Sequence, residues 1–81
     1  MNIINENEDE IILERDLEYS FTSPVDTVFQ NVSIFNISFK YPNMKIWGLL
    51  TPTLGLPISA NTTIFLKSVG STASIARIDV L

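Results

Sequence analysis

Residues 11–22 read IILERDLEYSFT. From Ile11 onward the odd positions are mostly apolar or aromatic, and the even positions after Ile12 are acidic or hydroxylated. This period of two is typical of a strand with one face in a core and the other in water. A helix over the same residues would pair only Leu13 and Leu17 on one face, so helix is the second interpretation. We therefore predict a half-buried strand with an acidic outer face.

The rest of the chain has the composition of pleated strands. Ile, Val and Thr number 11, 5 and 7, against three Ala, and β-branched residues pack well in sheets. Pro and Gly separate the apolar runs. The sequence therefore predicts an all-β fold, a small antiparallel β-sandwich or barrel of five to six strands with an extended acidic N-terminal arm. The predicted domains are the arm, residues 1–10, and a single β-domain, residues 11–81.

Turn residues and changes in periodicity predict how the strands are connected. A turn is expected at 23–26, and the inward face should change at Ile34–Phe35, through a bulge or a crossing between sheets. We expect a short strand at 45–51 and a loop at 51–57. Residues 62–69 and 74–81 are predicted to pair as a hairpin across Gly70.

Charge divides the chain into two unlike parts. Seven of the nine acidic residues lie in residues 1–18, where Arg15 is the only basic residue, so that segment carries a formal charge of −6. Residues 19–81 carry +2. The acidic balance argues against direct binding to nucleic acid or to anionic lipid, since both are negative. It favours a protein partner that offers a basic surface.

The small size of the chain points to partner subunits. A core of 81 residues is small, and domains of this size usually need a disulfide, a metal or a partner. The sequence contains no Cys and no His, so we predict no disulfide and no zinc site. A homo-oligomer or a larger assembly is the favoured interpretation, and a marginally stable monomer is the alternative.

Motifs for chemistry are weak in this sequence. Asn5, Asn7, Asp9 and Asp16 match part of a calcium-loop spacing, but Glu10 occupies the position that requires Gly. Without His, a nucleophilic Ser or Thr would need another base. We therefore predict no catalytic residues, no metal, no cofactor and no small-molecule substrate.

The N-terminal residues lack a basic n-region and an apolar h-region, so we expect no signal peptide. Pro and Gly interrupt the longest uncharged run, residues 46–66, so we expect no transmembrane helix. The predicted location is the virion or the cytoplasm.

The predicted function is a non-enzymatic structural subunit of a larger symmetric particle, such as a small phage or virus capsid-decorating, cementing or tail protein. One alternative is a carbohydrate-binding β-module around Trp47, whose ring combines apolar area with a polar edge. Another is a small acidic inhibitor that imitates nucleic acid with a row of carboxylates at Glu14, Asp16 and Glu18. The residues predicted to contact partner subunits are Ile3, Ile4, Glu6, Glu8, Asp9, Glu10, Trp47, Leu54 and Leu56.

Overall fold

The computed structural model describes residues 2–5 and 8–79, and these form nine strands without a helix. This confirms the all-β prediction. In chain order the strands are β1 (Asn2–Ile3), β2 (Glu10–Leu13), β3 (Glu18–Thr22), β4 (Thr27–Asn31), β5 (Ile37–Lys40), β6 (Gly48–Leu50), β7 (Gly55–Ile58), β8 (Thr63–Lys67) and β9 (Ala73–Asp79). The count exceeds the predicted five to six because two expected strands are divided where the chain changes sheets, and because β1 and β7 form in segments predicted as an arm and a loop.

The strands form two sheets that pack face to face as a β-sandwich. The five-stranded sheet has the order β1-β3-β8-β5-β6, and the four-stranded sheet has the order β2-β9-β4-β7. All neighbours are antiparallel except β1 and β3, which are parallel. Residues 4–9 join β1 to β2, and residues 51–54 join β6 to β7. Because both connections are short, β1 lies beside β2 at one side of the sandwich and β6 lies beside β7 at the other.

Aromatic and branched side chains from both sheets fill the core. Phe21 of β3 and Phe29 of β4 meet between the sheets with their ring centroids 4.7 Å apart. Tilted ring pairs at this distance stabilise a core beyond the area that they bury. The other buried apolar residues are Ile4, Ile11, Leu13, Ile37, Leu50, Leu56, Ile58, Ile64, Leu66, Ala73 and Ile75.

The first residues of the chain pack on their own β-domain. Asn2 and Ile3 pair with Tyr19 and Ser20, and the Ile4 amide donates to the Ser20 carbonyl at 2.8 Å. The Ile4 side chain is only 4% exposed and belongs to the core. The predicted boundary between an arm, residues 1–10, and the β-domain stays a prediction.

Residues 11–22 do form strands, but the single continuous strand is wrong. Residues 10–13 belong to the four-stranded sheet and residues 18–22 to the five-stranded sheet. Asp16 adopts a φ of 62° between them, a left-handed conformation that Asp tolerates better than most residues. Its carboxylate accepts a hydrogen bond from the Gly70 amide at 2.8 Å. This turn separates Glu14 from Glu18, so the predicted row of carboxylates at strand spacing does not form.

The predicted change of face near Ile34–Phe35 is a crossing between sheets. β4 belongs to the four-stranded sheet and β5 to the five-stranded sheet. The apolar residues Val28, Val32 and Ile34 do not form the inner face of this segment, however. The buried residues of β4 are Thr27, Phe29 and Asn31, because hydrogen bonds allow the two polar side chains to occupy the interior.

The predicted C-terminal hairpin is wrong. β8 pairs with β3 and β5, whereas β9 pairs with β2 and β4. Gly70, with a φ of 80°, therefore lies in a crossing between sheets. In β9 the side chain of Arg77 points inward and is 6% exposed, while Ile78 is on the outer face.

The expected strand at 45–51 is shorter, and the expected loop at 51–57 is partly a strand. β6 contains three residues, and β7 begins at Gly55 and includes Pro57. Proline lacks the amide hydrogen that a central strand needs, and edge strands tolerate it. β7 lies at the edge of its sheet, so Pro57 fits there.

Candidate interaction surfaces

The outer face of the four-stranded sheet is almost uncharged. Strand alternation turns six apolar side chains to this face, and they are exposed or half-buried: Ile12, Val28, Val32, Pro57, Ala76 and Ile78. We call this set the apolar face. Among the strand side chains that the structure describes, Glu10 is the only charged one directed outward from this sheet.

Register brings the residues of the apolar face together. Val28 is opposite Ile78 on one neighbouring strand and opposite Pro57 on the other. Gln30 stands between Ala76 and Gly55 in the next row. Because directly paired residues in a sheet have neighbouring side chains, three strands contribute to one continuous surface. The inward direction of Arg77 keeps its charge away from that surface.

The outer face of the five-stranded sheet carries Trp47 under two lysines. The Lys67 ammonium lies 4.1 Å from the centroid of the Trp47 ring, and the Lys40 ammonium lies 5.9 Å from it. Both distances allow attraction between a cation and the electron-rich face of the ring. Trp47 is half-buried and lies outside the core cluster.

Lysine reaches the ring because of the strand register. Lys67 of β8 is opposite Ser38 of β5, and Lys40 follows two residues later on the same face. Trp47 immediately precedes Gly48, which pairs with Phe39, so Trp47 stands beside Lys40.

Lys45 is exposed two residues before Trp47 in the chain. The three lysines of the chain therefore lie around its single tryptophan, and we call these four residues the lysine–tryptophan patch.

Exposed carboxylates follow the edge of the four-stranded sheet that contains β2. Glu8, Asp9, Glu10 and Glu14 are exposed and lie on β2 or directly beside it. We call them the acidic edge. Among the described residues, a basic group lies at salt-bridge distance only from Asp9, whose carboxylate is 3.7 Å from the Arg77 guanidinium. The acidic edge and β6 are on opposite sides of the sandwich.

A shallow depression lies at the edge formed by β4 and β7. Its volume is about 210 Å³, and it is lined by Asp26, Thr27, Val28, Pro57, Ile58 and Ser59. The Asp26 carboxylate accepts a hydrogen bond from the Ala60 amide at 2.8 Å. That bond gives Asp26 a structural role in positioning the connection before β8. No group of three or more metal-binding side chains occurs among residues 2–5 and 8–79.

The predicted interface residues lie in several places. Ile3 is 84% exposed on β1, whereas Ile4 is in the core. Glu8, Asp9 and Glu10 belong to the acidic edge, and Glu6 lies outside the described residues.

At the opposite side of the sandwich, Leu54 is exposed before β7, and Leu56 within β7 is buried. The two N-terminal isoleucines do not lie beside these leucines. Trp47 does not lie beside the acidic edge. Contact with a partner stays a prediction for the exposed members.

Sequence reasoning missed the apolar face. The signal that could have found it is the alternation in β9, where Ala76 and Ile78 share one face. That alternation alone does not say which face is inside. A buried Arg77 reverses the usual assignment, because arginine is almost never buried unless it is paired.

No helix in the described part of the chain is long and apolar enough to cross a membrane. No family model matches the sequence, and no curated protein matches it. The fold is similar to the crystal structure of a protein of unknown function from Vibrio parahaemolyticus (targeted domain 2–94), with a TM-score of 0.75 and 12% sequence identity. The similarity covers 96% of this chain and 82% of that one. It supports the small all-β fold.

Proposed function

We propose that this protein is a non-enzymatic structural subunit that associates with other copies of itself through the apolar face. The observation that carries the proposal is the near absence of charge on that face in an otherwise acidic protein. The class that we propose is a small phage or virus protein that decorates or cements a capsid or forms part of a tail. The proposed location is therefore the virion.

The apolar face has the composition of an interface. Antiparallel sheets commonly keep one face polar where it meets water, and monomers rarely expose large continuous apolar patches. A stable interface covers about 800 Å² on each partner, roughly a sixth of the 4836 Å² surface of this chain. The six apolar side chains form the centre of such an interface, and the polar residues around them complete it as a rim. Two such faces pack about 10 Å apart, as sheets do within a sandwich.

Burial of this face also stabilises a domain with a small core. Each Å² of apolar surface removed from water contributes about 25 cal/mol, and association links that gain to folding. Because the sequence contains no Cys, no disulfide can stabilise the domain. A partner subunit is another source of stabilisation for so small a core.

The alternatives have less support from the geometry. Lys67 lies over a face of the Trp47 ring, where a sugar would stack in a carbohydrate-binding module. The inhibitor hypothesis relied on regularly spaced carboxylates at Glu14, Asp16 and Glu18, which the turn at Asp16 prevents. Both functions stay predictions, and no contact in the described residues favours either of them.

The decisive experiment measures mass in solution for a variant of the apolar face and a matched control. In 1 M salt, where contacts between exposed charges are screened, we expect Ile78→Lys to lower the mass to that of a monomer at concentrations where the wild type is a dimer or larger. Val69→Lys is the control, because Val69 is more exposed than Ile78 and lies in the crossing between β8 and β9, outside this face. Circular dichroism should show the same strand content in both variants. A monomeric wild type, or equal masses for both variants, would overturn the proposal.

A further inference from the structure

The basic residues of this protein fall into two classes. Each arginine has an aspartate near it, Arg15 beside Asp16 at 3.9 Å and Arg77 beside Asp9 at 3.7 Å. No lysine has a carboxylate at salt-bridge distance among the residues that the structure describes. The positive charge that remains available is therefore gathered in the lysine–tryptophan patch.

Lys67 shows this arrangement most clearly. Glu18 is directly opposite Lys67 on the neighbouring strand, the position from which opposite charges usually interact. The Lys67 ammonium instead lies over the Trp47 ring. The ring holds the ammonium in place while leaving its charge uncompensated, because a cation–π contact brings no opposite net charge. A held, uncompensated cation is suited to binding an anion.

The acidic edge provides matching negative charge on the other side of the molecule. Glu8, Glu10 and Glu14 are exposed, and none has a basic group at salt-bridge distance within residues 2–5 and 8–79. The edge lies along β2 of one sheet and the patch on the outer face of the other sheet, and no ion pair joins them within the described residues.

We propose that the lysine–tryptophan patch binds the acidic edge of a second copy of this chain. The contact is heterologous, since one surface of the first copy meets a different surface of the second. Such contacts repeat to form rings or filaments. The inference deepens the proposed function, because a symmetric particle needs a second contact in addition to pairing through the apolar face.

Charge complementarity favours a second copy over other anions. Residues 1–18 carry a net −6 and the whole chain −4, so a nucleic acid or an anionic membrane is repelled by most of the protein. The acidic edge of a second copy brings carboxylates without the dense charge of a phosphate backbone. Opposite charges on opposite sides also orient each incoming copy.

The sharpest test mixes two charge-reversed variants. Lys40→Glu/Lys67→Glu makes the patch acidic, and Glu10→Lys/Glu14→Lys makes the edge basic. Each variant alone should fail to form assemblies larger than the pair held by the apolar face. An equimolar mixture should restore them, because the basic edge of one variant meets the acidic patch of the other. Mass measurement at low salt gives the result, and circular dichroism checks that each variant is folded.

A control variant separates net charge from position. Val25→Glu/Ser59→Glu adds negative charge at two exposed connections away from both the patch and the acidic edge, and it should assemble as the wild type does. Assembly of either reversed variant alone, or a mixture that stays at the mass of its components, overturns the inference.

Fluorescence gives a second measurement. Trp47 emission should change on mixing, and Trp47 is the only tryptophan of the chain. If an oligonucleotide or phosphatidylserine vesicles change that emission while the mixture does not associate, the patch binds phosphate and the inference is wrong.

Failure of this inference can be distinguished from failure of the proposed function. Ile78→Lys should remove pairing through the apolar face and leave the charge-dependent contact in place. Salt should do the opposite, because the Debye length shrinks from about 10 Å at 0.1 M to about 3 Å at 1 M, while apolar burial persists. Persistence of the largest assemblies in 1 M salt would contradict the inference, and it would not affect the proposal that copies pair through the apolar face.

Discussion

The Asn31 side chain joins the two sheets by donating a hydrogen bond to the Leu50 carbonyl at 2.9 Å. Asn31 ends β4 of the four-stranded sheet, and Leu50 ends β6 of the five-stranded sheet. The same amide donates to the Phe35 carbonyl at 2.7 Å, and its oxygen accepts from the backbone amide and hydroxyl of Ser33. A fully buried amide with these partners holds the crossing between the sheets in one conformation.

We predict that Asn31→Ala lowers the free energy of unfolding by about 2 to 4 kcal/mol, since it removes four hydrogen bonds, including the one to the buried Leu50 carbonyl. Gln30→Ala is the matched control. Its side chain makes one hydrogen bond, to the Thr53 carbonyl at 3.2 Å on the exposed side, and its loss should cost less than about 1 kcal/mol. Urea unfolding followed by circular dichroism measures both. Equal losses for the two variants would show that Asn31 does not hold the crossing.

Adjacent isoleucines at the end of β1 and directly after it test whether the N-terminal residues belong to the core. Ile4→Ala should destabilise the protein by about 2 to 4 kcal/mol, because it removes buried methyl groups and leaves a cavity. Ile3→Ala should change stability by less than about 0.5 kcal/mol, since Ile3 is 84% exposed and Ile4 only 4%. Thermal unfolding of the two variants gives the comparison. Similar stability for both would mean that residues 2–4 leave the domain in solution, as expected for a free arm.

Local alternation predicted the all-β fold correctly, but it missed several strand boundaries and could not predict how the strands pair. A crossing from one sheet to the other and a turn within one sheet use similar residues, so Gly70 was compatible with both. Asp16 interrupts residues 11–22 without a Gly or Pro to mark the turn. The role of Asn31 could not be predicted from its neighbours in sequence, because the Leu50 carbonyl that it binds across the sheets lies 19 residues away.

The candidate surfaces were predictable only in part. The excess of acid in residues 1–18 is visible in the sequence, and it predicted a basic counter-surface on a partner. Trp47 was selected for its apolar neighbours, although its structural neighbours are Lys40 and Lys67. These lysines are far apart in sequence, and register between β5 and β8 brings them together. No pattern in a single sequence determines that register.

Tyr41 makes stability depend on alkaline pH. Its hydroxyl donates to the Pro57 carbonyl at 2.7 Å, and burial raises the pKa of Tyr41 above its ordinary value of 10.0. The folded state therefore keeps this proton at pH values where the unfolded chain releases it. The stabilisation is complete below pH 10 and is lost as pH rises through the folded pKa. We expect unfolding midpoints to decrease over that range, and Tyr41→Phe should reduce the decrease. If the unfolding midpoint of Tyr41→Phe decreases with pH as steeply as that of the wild type, Tyr41 is not the group responsible.

The last prediction is that iodide quenches Trp47 fluorescence more strongly than caesium does. A unit charge 4 Å from an ion contributes about 1 kcal/mol in water, which corresponds to about a fivefold local enrichment of anions at low salt. Lys67 lies at 4.1 Å from the ring centroid, so iodide should concentrate at the half-buried ring while caesium is repelled. The measurement compares both quenchers with a free tryptophan derivative, which corrects for their different efficiencies.

Lys67→Met should remove most of this preference, because methionine keeps the apolar part of the side chain and removes the charge. Arg15→Met is the control, since Arg15 is exposed in the connection between β2 and β3 beside Asp16. It should leave the preference unchanged. Added salt should also abolish the preference in the wild type, because screening reduces the attraction of exposed charges. Equal quenching by the two ions at low salt would mean that the lysines are neutralised in solution, and the proposed anion site at Trp47 would lose its basis.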